Sequence, residues 1–362
     1  MKLLILADDF TGAMDTGCQF AAMGLKTWVL TQVRTTDLPA ADVLVMNTQS
    51  RHMMPSQAYQ VTKKILQALA SSFDCIYIKT DSAFRGNLSG VLAAAVHTVG
   101  VPMHFVPSYP QVNRTLEAGV VYIDDELLEY SVFAKDPRSP MNISVATDII
   151  KMDYPLKCHL VRERAGYEKK GDTQIYLYDC TSVVSMEQIA AGLANNHRLR
   201  LIGGCAGLAG ALAPYIGGIQ QQPMSIKDSG GALIVSGSAN AVTFSQLSRR
   251  EGAQTVNLAR EEIRMDACVD VLKNGENLII AAACTVEDVT RDAPASYHNE
   301  LAEKISSGTE ELLARSRCKN LAVFGGDTVQ AILTRLECSQ VELFASVILN
   351  LEKVRIPERL LP

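Results

Sequence analysis

Two carboxylates stand side by side where an apolar run gives way to a helical pattern. Lys2-Leu3-Leu4-Ile5-Leu6-Ala7 is led by one charge and reads as a buried strand. It stops at Asp8 and Asp9 and continues as Phe10-Thr11-Gly12-Ala13-Met14-Asp15-Thr16-Gly17. In an open parallel α/β sheet, ligands bind beyond the carboxyl ends of the strands. A helix needs one cap and not two acids, so the pair is read as facing a ligand. Thr11 offers a cap, and Gly12 lets backbone come close to a bound molecule. The plain structural alternative is that Asp8 or Asp9 is only an N-cap. A second cluster, Lys79-Thr80-Asp81-Ser82 with Arg85, follows the apolar run Cys75-Ile76-Tyr77-Ile78, and Arg51 follows Val43-Leu44-Val45-Met46. Together these residues supply cations, carboxylates and hydroxyls, which suit a small, anionic, polyhydroxy ligand. Arginine takes a carboxylate in a bidentate fork, while aspartate accepts hydrogen bonds from sugar hydroxyls. A Lys79–Asp81 ion pair with Ser82 as a cap is the scaffold alternative. So many polar side chains directly after a buried strand favour a site.

A different chemistry is written twice later in the chain. Ala232-Leu233-Ile234-Val235 runs into Ser236-Gly237-Ser238-Ala239-Asn240 and a helix carrying Thr243 and Gln246; Leu321-Ala322-Val323-Phe324 runs into Gly325-Gly326-Asp327-Thr328 and another helix. Small hydroxyl residues and glycine at a helix N-terminus form a phosphate cradle, with backbone N–H groups and the helix dipole turned toward the anion. Asp327 could hold Mg²⁺ through water or read a ribose. Neither stretch has P-loop spacing. Each turn alone is ordinary turn chemistry as readily as a site, and the pairing is what favours phosphate.

The elements that must position these groups alternate. Residues 13–23 read as a helix closed by Gly24, followed by strands at 27–30 and 43–46. Ser56 then caps a helix to about Ala70, with a strand at 75–78, a helix at 88–99 and a strand at 103–106. Such β-α alternation implies a parallel sheet with helices on both faces, and brings Asp8, Asp9, Arg51 and the 79–85 cluster to one rim. Residues 107–141 read as a long, less regular part, with Asn113-Arg114-Thr115 and Asp136-Pro137-Arg138-Ser139-Pro140-Met141 as turns. Strands at 175–178 and 199–202, a helix from Ser185 and a glycine turn at 203–207 continue the pattern. Residues 217–231, with three consecutive glutamines and Pro223, form the best linker. The expected layout is an N-terminal domain over 1–216, a linker over 217–231 and a C-terminal domain over 232–362.

Composition narrows the classes. A chain of 362 residues with a hydrophobic fraction of 48% supports two sizeable cores. The formal net charge of −5 is interspersed, and no basic block points to nucleic acid. The nine cysteines and the scattered His52, His97, His104 and His159 lack zinc spacing, so no protein-built metal site is expected and the thiols read as free in a reducing compartment. No signal peptide is read before the first strand. The uncharged stretch 201–219 is rich in glycine and small residues and reads as strand, turn and packed helix rather than a membrane span.

Taken in order, Ala7-Asp8-Asp9-Phe10-Thr11-Gly12-Ala13, Lys79-Thr80-Asp81-Ser82 with Arg85-Gly86-Asn87, Ser236-Gly237-Ser238 with Thr243 and Gln246, and Gly325-Gly326-Asp327-Thr328 resemble the four-carbon acid sugar kinase family. Pro107-Ser108-Tyr109-Pro110 with Arg114-Thr115, Asp136-Pro137 with Pro140-Met141, and Ala206-Gly207-Leu208-Ala209 match in order as well. The resemblance covers nearly the whole chain. It implies two α/β domains with mainly parallel sheets and an active site in the inter-domain cleft, the N-terminal domain taking a sugar acid and the C-terminal domain ATP with Mg²⁺. The implied reaction is phosphorylation of the 4-hydroxyl of a tetronic acid. Carried over by position, Asp9, Arg51, Lys79, Thr80, Asp81, Ser82 and Arg85 contact the acid, with Asp81 or Asp9 as base and Lys79 holding the substrate. Ser236 or Ser238 and Gly325, Gly326, Asp327 and Thr328 contact ATP. Asn47-Thr48-Gln49-Ser50-Arg51 and the Lys-Thr-Asp-Ser form resemble the D-threonate and D-erythronate kinases more than the 3-oxo-tetronate branch, with D-threonate favoured. Two departures stand out: Asn113 replaces an expected glycine, and no terminal lysine-bearing, glycine-rich segment stands before Pro362, which leaves a truncated sequence, a diverged tail or an impaired copy as the readings. The rival expectation is therefore a catalytically impaired sugar-acid-binding homologue; a nucleotide-dependent oxidoreductase is weaker, because neither turn fits G-x-G-x-x-G. The expected setting is cytoplasmic, as a homodimer, with no nucleic-acid or membrane partner.

Overall fold

A computed structural model describes residues 1–136, 138–163, 167–217, 231–238, 241–249, 252–289, 295–344 and 353–355. They fall into two units. The first holds the described residues up to 217 together with 340–344 and 353–355, and the second holds those from 231 to 339. In chain order the first unit contains β1 (Leu3–Ala7), α1 (Phe10–Ala21), β2 (Thr27–Leu30), β3 (Val43–Asn47), α2 (Pro55–Leu69), β4 (Cys75–Lys79), α3 (Leu88–Val99) and β5 (Met103–Val106). It continues with β6 (Arg114–Glu117), β7 (Val120–Ile123), β8 (Glu126–Leu127), α4 (Ala146–Lys151), β9 (Cys158–Val161), β10 (Ile175–Tyr178), α5 (Val183–Asn195), β11 (Leu201–Gly204) and α6 (Ala206–Ile216). The second unit contains β12 (Ala232–Ser236), α7 (Ala241–Ser248), β13 (Ala253–Asn257), α8 (Met265–Lys273), β14 (Asn277–Ala281), α9 (Ala295–Ser316), β15 (Asn320–Phe324) and α10 (Gly326–Arg335). The chain ends its described part with β16 (Gln340–Phe344) and β17 (Lys353–Arg355).

Ten strands make the first sheet in the order β17-β16-β2-β3-β1-β4-β11-β5-β10-β9. Every pair from β2 to β9 is parallel, whereas β16 runs antiparallel to β2 and to β17. Strands β1, β3 and β4 are buried at every residue, which is why they read as unbroken apolar runs. One sheet face packs Leu4, Leu6, Leu44, Met46, Ile76 and Ile78 against Ile65 and Leu66 of α2 and Leu92 of α3. Helix α1 covers the other face, where Gly17 lies against Val45 and Leu343 so closely that a Cβ there would meet Leu343 Cδ1 at 2.5 Å.

Topology places the ligand end. The chain leaves β1 for β2, returns one place to β3, then crosses β1 to β4, so the winding reverses beside β1 and opens a crevice at the strand carboxyl ends. Register pairs Ala7 with both Asn47 and Lys79, so the residues after all three strands emerge at one level. The second unit repeats this path: its all-parallel sheet has the order β13-β14-β12-β15, with β12 in the role of β1 and β15 in the role of β4.

Several expectations need correction. Helix α1 starts at Phe10, not residue 13, and its cap is Asp9, whose extended backbone (φ −141°, ψ 164°) lets the carboxylate accept the Gly12 N–H at 3.0 Å. Helix α2 starts at Pro55 rather than being capped by Ser56; proline suits a first helical position, and Gln57 Oε1 accepts the Met54 N–H at 3.1 Å. Residues 340–344 and 353–355, expected within the C-terminal domain, pair into the first sheet. In β16, buried Val341 and Leu343 alternate with half-buried neighbours, the pattern of an antiparallel strand laid on an open edge. Residues 218–230 of the expected linker lie outside the described residues. Part of the supposedly irregular stretch 107–141 is a three-stranded antiparallel sheet, β6-β7-β8. Its two-residue turns, Ala118-Gly119 and Asp124-Asp125, have positive φ at both positions, as hairpin twist demands.

Candidate functional site

Arg51 is the centre of the first unit's rim. Its Nε and Nη2 donate to Asp8 Oδ2 and Oδ1 at 2.8 and 3.0 Å, Nη1 donates to Asp9 Oδ2 at 2.8 Å, and Nη2 lies 3.8 Å from Asp81 Oδ1. One guanidinium thus ties the ends of β1 and β4 to the loop after β3. That loop is itself anchored: Asn87 Nδ2 donates to Ser50 O at 2.7 Å and Met53 O at 2.6 Å, and Thr48 Oγ1 donates to Ala7 O at 2.8 Å. Gly86, at φ +91°, lies under Arg51, and a Cβ there would meet the Arg51 side chain at 3.1 Å and its carbonyl at 3.3 Å. Burial pushes the Asp8 carboxyl up, and the Arg51 charge and hydrogen bonds oppose it. A cavity of about 570 Å³ opens beside Arg51, Asn87 and Arg138, a size that admits a small molecule.

Asp81 is held by a second fork. Arg85 Nε and Nη2 donate to its Oδ2 and Oδ1 at 2.8 and 3.0 Å, and the N–H groups of Ala83 and Arg85 donate at 3.2 and 3.3 Å. Burial would raise this carboxyl, yet the Arg85 hydrogen bonds and the charges of Arg51, Arg85 and Lys79 hold it well below the usual carboxylate range. Arg85 also reaches Asp136 Oδ2 at 3.0 Å, and Asp136 accepts the N–H groups of Arg138 and Ser139 at 3.0 and 2.8 Å. The Phe133 ring lies 4.9 Å from the Arg85 guanidinium and 5.0 Å from that of Arg114, whose Nη1 donates to Ser82 Oγ.

Lys79 ends β4 and is buried, as are Thr80, Asp81 and Ser82. Its ammonium donates to Thr80 O at 2.9 Å and lies over Gly12, where a Cβ would come within 2.7 Å of Nζ and 2.5 Å of Asp9 Oδ1. Gly12 is therefore the bare spot that lets the Asp9 cap and the Lys79 ammonium share one place. Asp9, Arg51, Lys79, Thr80, Asp81, Ser82 and Arg85 all sit at this rim. Sequence reasoning quoted Arg114 and Asp136 for the resemblance but gave them no role, and missed Phe133, filing their segments as turns; the signal was an arginine opening a hairpin whose tight turns were not recognised. It also passed over Asp15 on α1.

In the second unit the two glycine turns meet. Gly237 N donates to Phe324 O at 3.0 Å, a Cβ on Gly237 would lie 2.0 Å from Thr328 Oγ1, and one on Gly325 would lie 3.6 Å from Ser238 N. Gly325, at φ +112°, opens α10, whose first turn carries Asp327. Ser238 Oγ and Thr243 Oγ1 are 3.0 Å apart. Ser236 is fully buried and its hydroxyl has no partner among the described residues, which leaves Ser238 as the hydroxyl of the two that can face a ligand. Bare glycine backbone, a ten-residue helix N-terminus and hydroxyls fit a phosphate. Among the described residues no group of three or more His, Cys, Asp or Glu could hold a metal, and no helix is long and apolar enough to cross a membrane.

Residues 3–212 match the model of the sugar-binding N-terminal domain. A D-threonate kinase of Salmonella typhimurium is 27% identical over 92% of this chain and 86% of its own length. A D-erythronate kinase of Heliobacterium modesticaldum is 25% identical over 96% of this chain and 88% of its own. The crystal structure of Haemophilus influenzae protein HI1011 superposes with a TM-score of 0.73 at 19% identity, covering 98% of this chain and 93% of that one, and shares the fold.

Proposed function

Because the chain belongs to the four-carbon acid sugar kinase family, we propose that it transfers the terminal phosphoryl group of ATP to the 4-hydroxyl of a four-carbon sugar acid, D-threonate first and D-erythronate next. The observation that carries the reading is the ion-pair network at the carboxyl ends of β1, β3 and β4. Arg51 and Arg85 spend their forks on Asp8, Asp9 and Asp81, which leaves the Lys79 ammonium with one backbone partner and Arg114 beside Ser82. These two cations are the groups that meet the acid's carboxylate, and the oxygens of Asp9, Asp81, Thr80 and Ser82 read its hydroxyls. Arg51 and Arg85 hold those carboxylates in place.

Ser238, Gly325, Gly326, Asp327 and Thr328 hold the nucleotide's phosphates. ATP supplies the phosphoryl group, and Mg²⁺ enters with it, since that ion binds substrate phosphates with one or two carboxylates and keeps several waters; Asp327 is the carboxylate at hand. The Lys79-Thr80-Asp81-Ser82 form and the 47–51 turn support D-threonate over a 3-oxo acid.

The test is a coupled ADP-release assay over D-threonate, D-erythronate, their L-forms and 3-oxo-tetronate, beside calorimetry with each acid and with Mg-ATP. D-threonate is expected to have the highest kcat/KM. Acid binding without nucleotide binding would instead mark a sugar-acid-binding protein, and binding of neither would refute both.

A further inference from the structure

We propose that Asp15, which lies on α1 about one helical turn past Gly12, is the general base that takes the proton from the attacking hydroxyl. This rests on the kinase reading above. Four other carboxylates stand at the rim, and each is already committed. Asp8 is forked by Arg51. Asp9 caps α1 through Gly12 N–H and accepts from Arg51. Asp81 is forked by Arg85 and accepts two backbone N–H groups. Asp136 takes Arg85 and two backbone N–H groups. A carboxylate already bound to guanidinium or amide donors is a poorer proton acceptor than an unpaired one.

Asp15 differs on each count. Its carboxylate has no hydrogen-bond or ion-pair partner among the described residues; only its backbone carbonyl is engaged, by Gln19. It sits three residues past Gly12, on the same helix face, and Gly12 is the spot that Lys79 Nζ overlies. Lys79 itself is 6% exposed, with a single backbone carbonyl accepting from an ammonium that has three protons to give. Beyond it, Gly207 at the start of α6 leaves room for Tyr109, which would meet a Cβ there at 2.7 Å. The charged and titratable groups that act on this place are Lys79 and Asp9 directly, with Tyr77, Tyr109 and Cys205 feeling the Asp15 charge in turn. Burial pushes the Asp15 carboxyl up, with Lys79 opposing and Asp9 reinforcing, which moves it toward the range useful in a base. An acid whose carboxylate or neighbouring hydroxyl rests on Lys79 therefore has one uncommitted carboxylate beside it.

The step balances without another reagent. The hydroxyl proton passes to a carboxylate oxygen of Asp15. The hydroxyl oxygen forms the bond to the γ-phosphorus, and the bond from that phosphorus to the β–γ bridging oxygen breaks, its electron pair leaving on ADP. Water then takes the proton from Asp15.

The experiment compares the parent chain with Asp15→Asn and Asp15→Glu, measuring kcat and KM by ADP release, acid affinity by calorimetry, and kcat from pH 4.5 to 8.5. Asp15→Asn is expected to lose about 10²–10⁴-fold in kcat. It should keep its acid Kd within about threefold and lose the acid limb of the pH profile, while Asp15→Glu restores part of the rate. A kcat within about threefold of the parent, or an intact acid limb in a slow variant, or a loss confined to acid affinity, overturns the assignment. If Asp15→Asn fails to fold, the parent's profile decides: a kcat that falls as pH drops through a carboxylate raised above its ordinary range supports the base, and a flat kcat overturns it. A parent that releases no ADP with any acid refutes the kinase reading and the base together, whereas an active parent with an active Asp15→Asn refutes the base alone.

Discussion

Replacing Arg51 by alanine tests the rim where its charges are most crowded. The change removes a two-pronged contact to Asp8 (2.8 and 3.0 Å), a third bond to Asp9 (2.8 Å) and a 3.8 Å approach to Asp81. The side chains of Arg51 and Asp8 are 13% and 10% exposed, so solvent cannot take over the pairing. Stripping one partner from a buried pair costs about 3–5 kcal/mol, because the other charge is left uncompensated. At about 2–4 °C per kcal/mol for a unit of this size, the expected fall in Tm is about 6–20 °C. The sign with pH is equally specific. Without Arg51, only the Lys79 charge opposes burial and the Asp9 charge at Asp8, so its folded pKa rises further above the unfolded value of 3.8. The folded variant then binds more protons than its unfolded chain, and its stability falls as pH rises. The deficit against the parent should be small near pH 4.5 and largest near pH 8. Trp28, the chain's one tryptophan, lies in β2, so its fluorescence follows the first unit alone even if the two units melt separately. A Tm within about 2 °C of the parent, or a deficit no larger at pH 8 than at pH 4.5, refutes the argument.

Gly12→Ala drives a methyl into Asp9 Oδ1 and Lys79 Nζ, and is expected to weaken acid binding at least tenfold by calorimetry while Mg-ATP affinity stays unchanged. Gly237→Ala does the reverse: its Cβ would stand 2.0 Å from Thr328 Oγ1, so Mg-ATP binding should be lost with acid binding intact. His104 is buried, stacks on Tyr176 and shares a 2.7 Å hydrogen bond with Tyr178 Oη; burial, aided by the Arg198 charge, lowers its pKa to about 4 from 6.5. The unfolded chain therefore binds the extra proton between those values, and the first unit should lose stability as pH falls from 6.5 toward 4, by on the order of 3 kcal/mol in all. Trp28-monitored urea melts should show that slope in the parent and a flatter one in His104→Gln.

Much of the fold was legible because parallel strands buried on both faces admit little but apolar runs. That is how β1, β3, β4 and β5 were read within a residue or two, and why the polar clusters after them had to share a rim. The hairpins carrying Arg114 were not legible: Ala118-Gly119 and Asp124-Asp125 lack the usual Asn-Gly signal, though both adopt the paired positive φ of such turns. Nor was β16, a five-residue strand that follows the described part of the second unit and returns to pair with β2 at the edge of the first sheet.

The residue types alone settled that carboxylates, cations and hydroxyls gather after the first unit's central strands and that two bare glycine turns open helices in the second. Which carboxylate is spoken for was decided only in three dimensions. Arg51 chooses Asp8 and Asp9 across 43 and 42 residues, Arg85 reaches Asp136 across 51, and Asp15 is left over. A guanidinium fork satisfies whichever acids lie in its plane at 2.8–3.0 Å, and that geometry exists only once strand register has brought the loops to one level.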